Sequence, residues 1–196
     1  VAQSGPFVIP AAALRKVSGT TRRVRATGSI DDLALLGVAV PAGADVAVDV
    51  TLSSYPGGLM AVGSVSAPWE GECRRCGGPV LGVVEVSVHE RYLVRGPGAV
   101  PGRTGAPGRT VAADRPDGTD EDAYLLEGDL LDLEPLARDA VLLELPLAPV
   151  CRPGCRGLCP QCGADLNSGP CACAEPVDPR WAALDALRDG EGGRLP

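Results

Sequence analysis

The chain has 196 residues, a net charge of −7, 45% hydrophobic residues and 22% charged ones. That balance belongs to a globular chain able to bury a core, and the acidity argues against a protein that coats nucleic acid over its whole surface. No apolar run approaches the roughly 18 residues of a spanning segment, which excludes a transmembrane helix. Aromatics make up only 3%, so the core is expected to be built from Val, Leu and Ala.

Charge falls in blocks. Residues 1–30 carry Arg15, Lys16, Arg22, Arg23 and Arg25 and no acid, and residues 31–72 carry six acids and no base. The start has no charged region leading into an apolar stretch, so a secretory signal is not expected and the reducing cytosol is the expected compartment. Val46, Val48 and Val50 alternate with Ala47 and Asp49, Tyr55-Pro56-Gly57-Gly58 reads as a turn, and Leu59 to Val65 is again apolar. Residues 45–67 therefore predict a hairpin. Alternation resumes over Val80 to Val88 and runs on through Tyr92 and Val94, and the short connections require antiparallel pairing.

From residue 96 to 122 the pattern dissolves into Gly, Pro, Arg and Ala, then acids. With no apolar face to offset ordering entropy, this stretch is expected to be a disordered insert. Asp132 as N-cap and Pro135 in the first turn predict a helix with a stripe of Leu136, Ala140, Val141 and Leu143, ending before Pro146. A second helix is predicted from Asp178 and Pro179, with Trp181, Leu184 and Leu187 on one face and Gly190 as the stop.

Eight cysteines fall as Cys73-x2-Cys76, Cys151-x3-Cys155-x3-Cys159-x2-Cys162 and Cys171-x-Cys173. Two CxxC pairs, each followed by glycine (Gly77 and Gly163), suit tight knuckle turns that aim two sulfurs at one ion. Four such ligands complete a tetrahedral Zn2+ site, and eight make two. An iron–sulfur centre satisfies the same ligand type. The nearest grouping joins Cys159, Cys162, Cys171 and Cys173 and leaves Cys73, Cys76, Cys151 and Cys155 to tie the strand region to the tail. The rival grouping joins Cys151, Cys155, Cys159 and Cys162, pairing Cys73/Cys76 with Cys171/Cys173; the first is favoured.

Catalytic constellations are scarce. His89 is the only histidine and lies in a strand-like run, and there is no GxGxxG or Walker sequence. An all-cysteine zinc offers no open position for water, so no enzyme and no catalytic residue is expected. The basic stretches offer phosphate contacts through Arg15, Lys16, Arg22, Arg23, Arg25, Arg74 and Arg75. Flanking aromatics for reading unstacked bases are absent.

The order of motifs carries a resemblance. Glu72-Cys-Arg-Arg-Cys76 is followed by an acidic insert and by Asp132-Leu-Glu-Pro-Leu-Ala-Arg-Asp-Ala-Val-Leu-Leu-Glu-Leu-Pro146. Then come the run from Pro149 to Asn167 through Cys151, Cys155, Cys159 and Cys162, and Asp178-Pro-Arg-Trp-Ala-Ala-Leu184. From about Phe7 to Leu187 the chain resembles the YceD family, the large ribosomal RNA subunit accumulation proteins, in its cysteine-rich Gram-positive form. The resemblance implies a non-enzymatic cytoplasmic factor needed for normal levels of the large-subunit RNA. Members keeping only the equivalents of Cys73, Cys76, Cys151 and Cys155 favour the first grouping. The Gly/Pro/Arg character of 96–118 departs from the plainly acidic insert of that family.

The expected architecture is therefore α+β, with an antiparallel, barrel-like sheet, a packed helix, a zinc-knuckle tail and a C-terminal helix. Its expected divisions are a β-rich core with a basic N-terminal segment (1–95), an insert (96–122), a core helix (123–150), a knuckle (151–175) and a helical tail (176–196). The expected function is ribosome assembly or RNA accumulation, with Zn2+ at two sites. Large-subunit RNA, its precursor or ribosomal proteins are the expected partners, with no membrane or small-molecule substrate. The alternatives are a thiol-redox or metal-handling protein, motivated by the cysteines, and a zinc-ribbon adaptor of transcription.

Overall fold

The computed structural model describes residues 5–94, 123–126, 128–173 and 180. The expected disordered insert at 96–122 and, Arg180 apart, the expected helix at 178–190 lie outside the described residues. The elements, in chain order, are β1 (Val8–Pro10), α1 (Ala12–Arg15), β2 (Thr21–Gly28), β3 (Ala34–Leu35), β4 (Val38–Ala39), β5 (Val46–Tyr55) and β6 (Gly58–Glu72). They continue with β7 (Pro79–Val94), β8 (Tyr124–Leu126), β9 (Leu130–Asp132) and α2 (Glu134–Glu144).

The expected hairpin is β5–β6, closed by Pro56-Gly57 with Tyr55 opposite Gly58. β6 pairs antiparallel with β7 along its whole length, from Gly58↔Leu93 to Glu72↔Pro79. β2 adds antiparallel to β5, and a small β3–β4 hairpin pairs with Glu70 and Gly71, further along the edge of β6 that β5 uses. The α+β class with a mainly antiparallel sheet holds, but the barrel-like closure does not. Among the described residues β2 pairs only with β5 and β3 only with β4, so the sheet keeps open edges. β8 joins the outer edge of β7 in parallel (Tyr92↔Tyr124), a pairing that no local pattern announces.

Period two sorts the two faces. Val46, Val48, Val50 and Leu52 of β5, Leu59, Ala61, Val65 and Ala67 of β6, and Val84, Val88 and Tyr92 of β7 are buried on one face. Each large aliphatic among them contributes about 1.5–3 kcal/mol of transfer free energy. α2 packs on that face with Leu136, Ala137 and Val141 buried. The predicted stripe is rotated: Leu143 is 86% exposed and Ala137 takes an inward position. The N-cap is Leu133, itself buried, while the Asp132 carboxylate accepts from the Glu134 N–H at 2.9 Å. β1 and β9 form a separate ribbon (Val8↔Asp132), so the chain start seats α2. Its neighbour bonds are Ala11 N–H to Asp129 O at 2.8 Å and Leu133 N–H to Phe7 O at 3.1 Å.

Candidate metal centre

β6 and β7 are joined by residues 73–78, so the first CxxC is the loop of a long hairpin whose register is fixed on both sides. Cys73 N–H donates to Gly78 O at 2.8 Å, and Gly77 N–H returns to Cys73 O at 2.8 Å with φ +71°. The second CxxC repeats this turn bond for bond. Cys159 N–H donates to Ala164 O at 2.8 Å, and Gly163 N–H to Cys159 O at 2.9 Å with φ +72°. Two distant sequences thus build one knuckle geometry, and the glycine after each pair is there because L side chains disfavour that φ.

The sulfurs gather in two groups. Those of Cys73, Cys76, Cys151 and Cys155 lie within 4.8 Å of one another, as do those of Cys159, Cys162, Cys171 and Cys173. Cys73 Sγ is 3.8 Å from Cys155 Sγ, and Cys76 Sγ is 3.8 Å from Cys151 Sγ. A tetrahedral ion with Zn–S bonds of about 2.3 Å holds its sulfurs about 3.8 Å apart, whereas a disulfide needs about 2.05 Å. All eight cysteines are free thiols, so the first group has the sulfur spacing of a four-thiolate metal site and the second, within 4.8 Å, is compact enough for one.

The electrostatics agree with that geometry. The backbone N–H groups of Cys151, Cys76 and Arg75 bring the Cys73 thiol down to about 6. Those of Cys162 and Gln161 do the same for Cys159, also to about 6. Sharing protons with Cys155 pushes Cys151 up to about 12, and sharing with Cys162 pushes Cys173 up to about 12. In each cluster one thiol is thus eased toward thiolate while another is held protonated, a split that a divalent cation at the centre would remove.

Residues outside the cysteines fix the first group. Arg74 N–H donates to Pro149 O at 2.9 Å, Leu158 N–H to Arg75 O at 3.0 Å, and Arg75 Nη1 to Cys155 O at 2.8 Å. Residues 149–158 are thus laced to the β6–β7 loop by backbone as well as by sulfur. Gly157 (φ +74°) lies so close that a Cβ there would sit 2.7 Å from Arg75 O. Asn167 braces the same region. Its Nδ2 donates to Cys155 Sγ at 3.6 Å and to Asp165 Oδ1 at 2.7 Å, while its Oδ1 accepts from Arg156 N–H at 2.9 Å and Arg152 Nη2 at 2.8 Å. Sequence reasoning assigned no role to Gly157 or Asn167. A glycine two residues past a cysteine was the only signal for the first, and none marked the second.

The arginines expected to meet phosphate divide by environment. Arg74 Nη2 reaches Leu36 O at 3.0 Å and Leu147 O at 3.3 Å, so Arg74 and Arg75 both serve the loop around Cys73. Arg23 and Arg25 share the carboxylate of Asp49 at 2.8 and 2.9 Å. Arg15 binds Asp129 at 2.8 Å and also reaches Gly128 O. Arg22 makes a 3.4 Å contact with Pro10 O, and Lys16 is exposed. His89 is exposed on the outer face of β7.

Residues 61–188 match the family described as "Large ribosomal RNA subunit accumulation protein YceD", a span of well over half the chain. The chain belongs to the YceD family. An uncharacterized protein of Mycobacterium tuberculosis (strain ATCC 25618 / H37Rv) is 41% identical over 158 residues, covering 81% of this chain and 69% of that protein. One of Mycobacterium leprae (strain TN) is 33% identical over 161 residues, 80% of this chain and 66% of its own. The Arabidopsis thaliana protein "Large ribosomal RNA subunit accumulation protein YCED homolog 1, chloroplastic" is 37% identical over 60 residues, 30% of this chain and 19% of its own. No solved structure matches. Among the described residues no helix is long and apolar enough to cross a membrane.

Proposed function

We propose that this YceD protein is a non-enzymatic, zinc-stabilised cytoplasmic factor in the accumulation of large-subunit ribosomal RNA, acting in ribosome assembly through RNA or ribosomal proteins. The observation that carries the reading is the pair of four-sulfur clusters at tetrahedral spacing in a chain of this family. Cys73, Cys76, Cys151 and Cys155 hold one zinc and Cys159, Cys162, Cys171 and Cys173 the other. With all four positions taken by sulfur, such an ion supplies folding free energy and no bound water for hydrolysis. Arg15, Lys16, Arg22, Arg23, Arg25, Arg74 and Arg75 are the basic residues offered to phosphate; Arg23 and Arg25 also pair with Asp49, and Arg74 and Arg75 also support the first metal loop.

The test has two arms. Metal analysis of protein purified without added metal should give two zincs, no iron and no thiol that titrates before denaturation. Reactive thiols or a labile metal would favour the redox or metal-handling alternative. Co-sedimentation at near-physiological salt should then place the protein with large-subunit particles or their precursors, and depletion of the protein should lower large-subunit RNA relative to small. Absence of any such association would remove the assembly role.

A further inference from the structure

The β3–β4 hairpin turns through Leu36-Gly37, with Leu35 opposite Val38. Both turn residues have positive φ, +51° for Leu36 and +82° for Gly37. That is the type I′ arrangement, whose first position favours Asn, Asp or Gly because other residues meet steric strain there. A leucine in that position costs stability and gains no burial: Leu36 is 63% exposed. Strain of this kind collects at functional surfaces.

Leu36 stands at the rim of an open groove of about 500 Å³ on the outer sheet face, lined also by Ala34, Ala39, Glu70, Glu72 and Leu81. Leu81 is 76% exposed, and Val83, two residues along the same face of β7, is 70% exposed. Glu70 and Glu72 have no ion-pair partner among the described residues. They belong to the stretch 31–72 that carries six acids and no base. Aliphatic side chains standing in water between unpaired carboxylates form a surface with a defined complement.

We infer that this groove is a docking site for a basic protein segment that carries aliphatic side chains. The carboxylates receive its arginines or lysines, and Leu36, Leu81 and Val83 cover its apolar side chains. The two carboxylates repel phosphate, and the Arg74 guanidinium at the turn is engaged with Leu36 O and Leu147 O, so RNA is the weaker complement here, whatever it contacts elsewhere. The identity of the partner as a ribosomal protein rests on the proposed assembly role; the chemistry of the groove does not.

The test uses the full-length zinc-loaded protein and a fluorescein-labelled ten-residue peptide alternating arginine with valine, read by anisotropy at near-physiological salt. A peptide with glutamate replacing arginine is the control. Leu36→Asn should weaken binding about tenfold, the effect of losing one aliphatic contact, while raising Tm by about 2–4 °C because the turn strain is relieved. The double variant Glu70→Lys/Glu72→Lys should weaken it by at least that factor, and Thr51→Lys, a cationic change on β5, should leave it unaltered. Equal binding by all variants, or a lower Tm for Leu36→Asn, would overturn the inference. So would an oligoribonucleotide that competes with the peptide, or a dimer that Leu36→Asn abolishes. Co-sedimentation of the same variants separates the two readings. Particle association that survives Leu36→Asn rejects the groove as the ribosomal contact and leaves the assembly role standing. Groove-dependent peptide binding without any particle association rejects the assembly role and leaves the groove.

Discussion

Gly157→Ala places a methyl group 2.7 Å from Arg75 O, well inside the roughly 3.5 Å at which nonbonded heavy atoms rest. The oxygen has little room to retreat, because it accepts Leu158 N–H at 3.0 Å while the Arg75 side chain holds Cys155 O. Two penalties combine. A non-glycine residue at φ +74° costs about 1–2 kcal/mol, and overpacking against fixed backbone about 1–3 kcal/mol more.

The region between Cys155 and Cys159 should therefore lose about 2–5 kcal/mol, and at the lower bound zinc at the first cluster becomes about 30-fold easier to remove. Two neighbouring glycines separate the causes. Gly163 has φ +72° with nothing within 4 Å of a Cβ, so Gly163→Ala should show the conformational cost alone, at the second cluster. Gly154 has neither a positive φ nor a close neighbour, so Gly154→Ala should behave as wild type. The assay is chelator-driven zinc release followed with a chromogenic indicator, together with the melting curve. If Gly157→Ala releases zinc no faster than Gly163→Ala, the approach of residue 157 to Arg75 does not lock the centre and the lacing argument fails.

Other consequences follow from the same contacts. Asn167→Ala removes the amide donor to Cys155 Sγ and the acceptor for Arg156 N–H, and should loosen the first cluster by about 1–3 kcal/mol, seen as faster chelator-driven zinc loss. Asp49 is held down to about 2, from 3.8, by its hydrogen bonds to Arg23 and then Arg25. Because the folded form is the stronger acid, its stabilisation is present above pH 4 and disappears as pH falls through 2. The Tm gap between wild type and Asp49→Asn should close over that window and shrink in high salt. Cys73→Ser should cost one zinc and lower the melting temperature of the whole sheet, since its cluster joins segments 75 and 82 residues apart. Cys171→Ser should also cost one zinc but leave the sheet's transition in place, because its cluster lies within residues 159–173; equal effects would contradict this division.

What the sequence revealed was whatever it wrote locally. Alternation over Val46–Val50 and Val80–Val88 marks β5 and β7, Pro56-Gly57 the turn from β5 into β6, and CxxCG both knuckles. Long-range partners carry no such mark. The pairing of Val8 with Asp132 and the parallel register of Tyr92 with Tyr124 join segments more than 30 residues apart. Leu143 satisfied a helical stripe on paper, but the helix faces the sheet with Leu136, Ala137 and Val141, which turns Leu143 to solvent. Arg74 and Arg75 illustrate the limit for charge reading. Beside a cysteine turn they read as phosphate ligands, and no local pattern announces that their guanidinium groups also donate to carbonyl oxygens brought in from residues 36, 147 and 155.

Those arginine contacts also join the two surfaces to which function is assigned. Arg74 leaves the loop between Cys73 and Cys76 and binds Leu36 O, in the strained turn that rims the groove. Glu72 and Pro79, which bracket the same loop, line the groove. On the two proposals together, a cation that fixes the loop also fixes one wall of the groove, which links the two equilibria. Whatever factor zinc contributes to peptide affinity, the peptide must contribute to zinc affinity. Retention of the first zinc against chelator should then rise with the arginine–valine peptide bound in the wild-type protein, and should not rise in Leu36→Asn. The second cluster draws its four sulfurs from residues 159–173 alone and meets the loop through Leu158 N–H to Arg75 O, not through the Leu36 turn, so its response should be the weaker one.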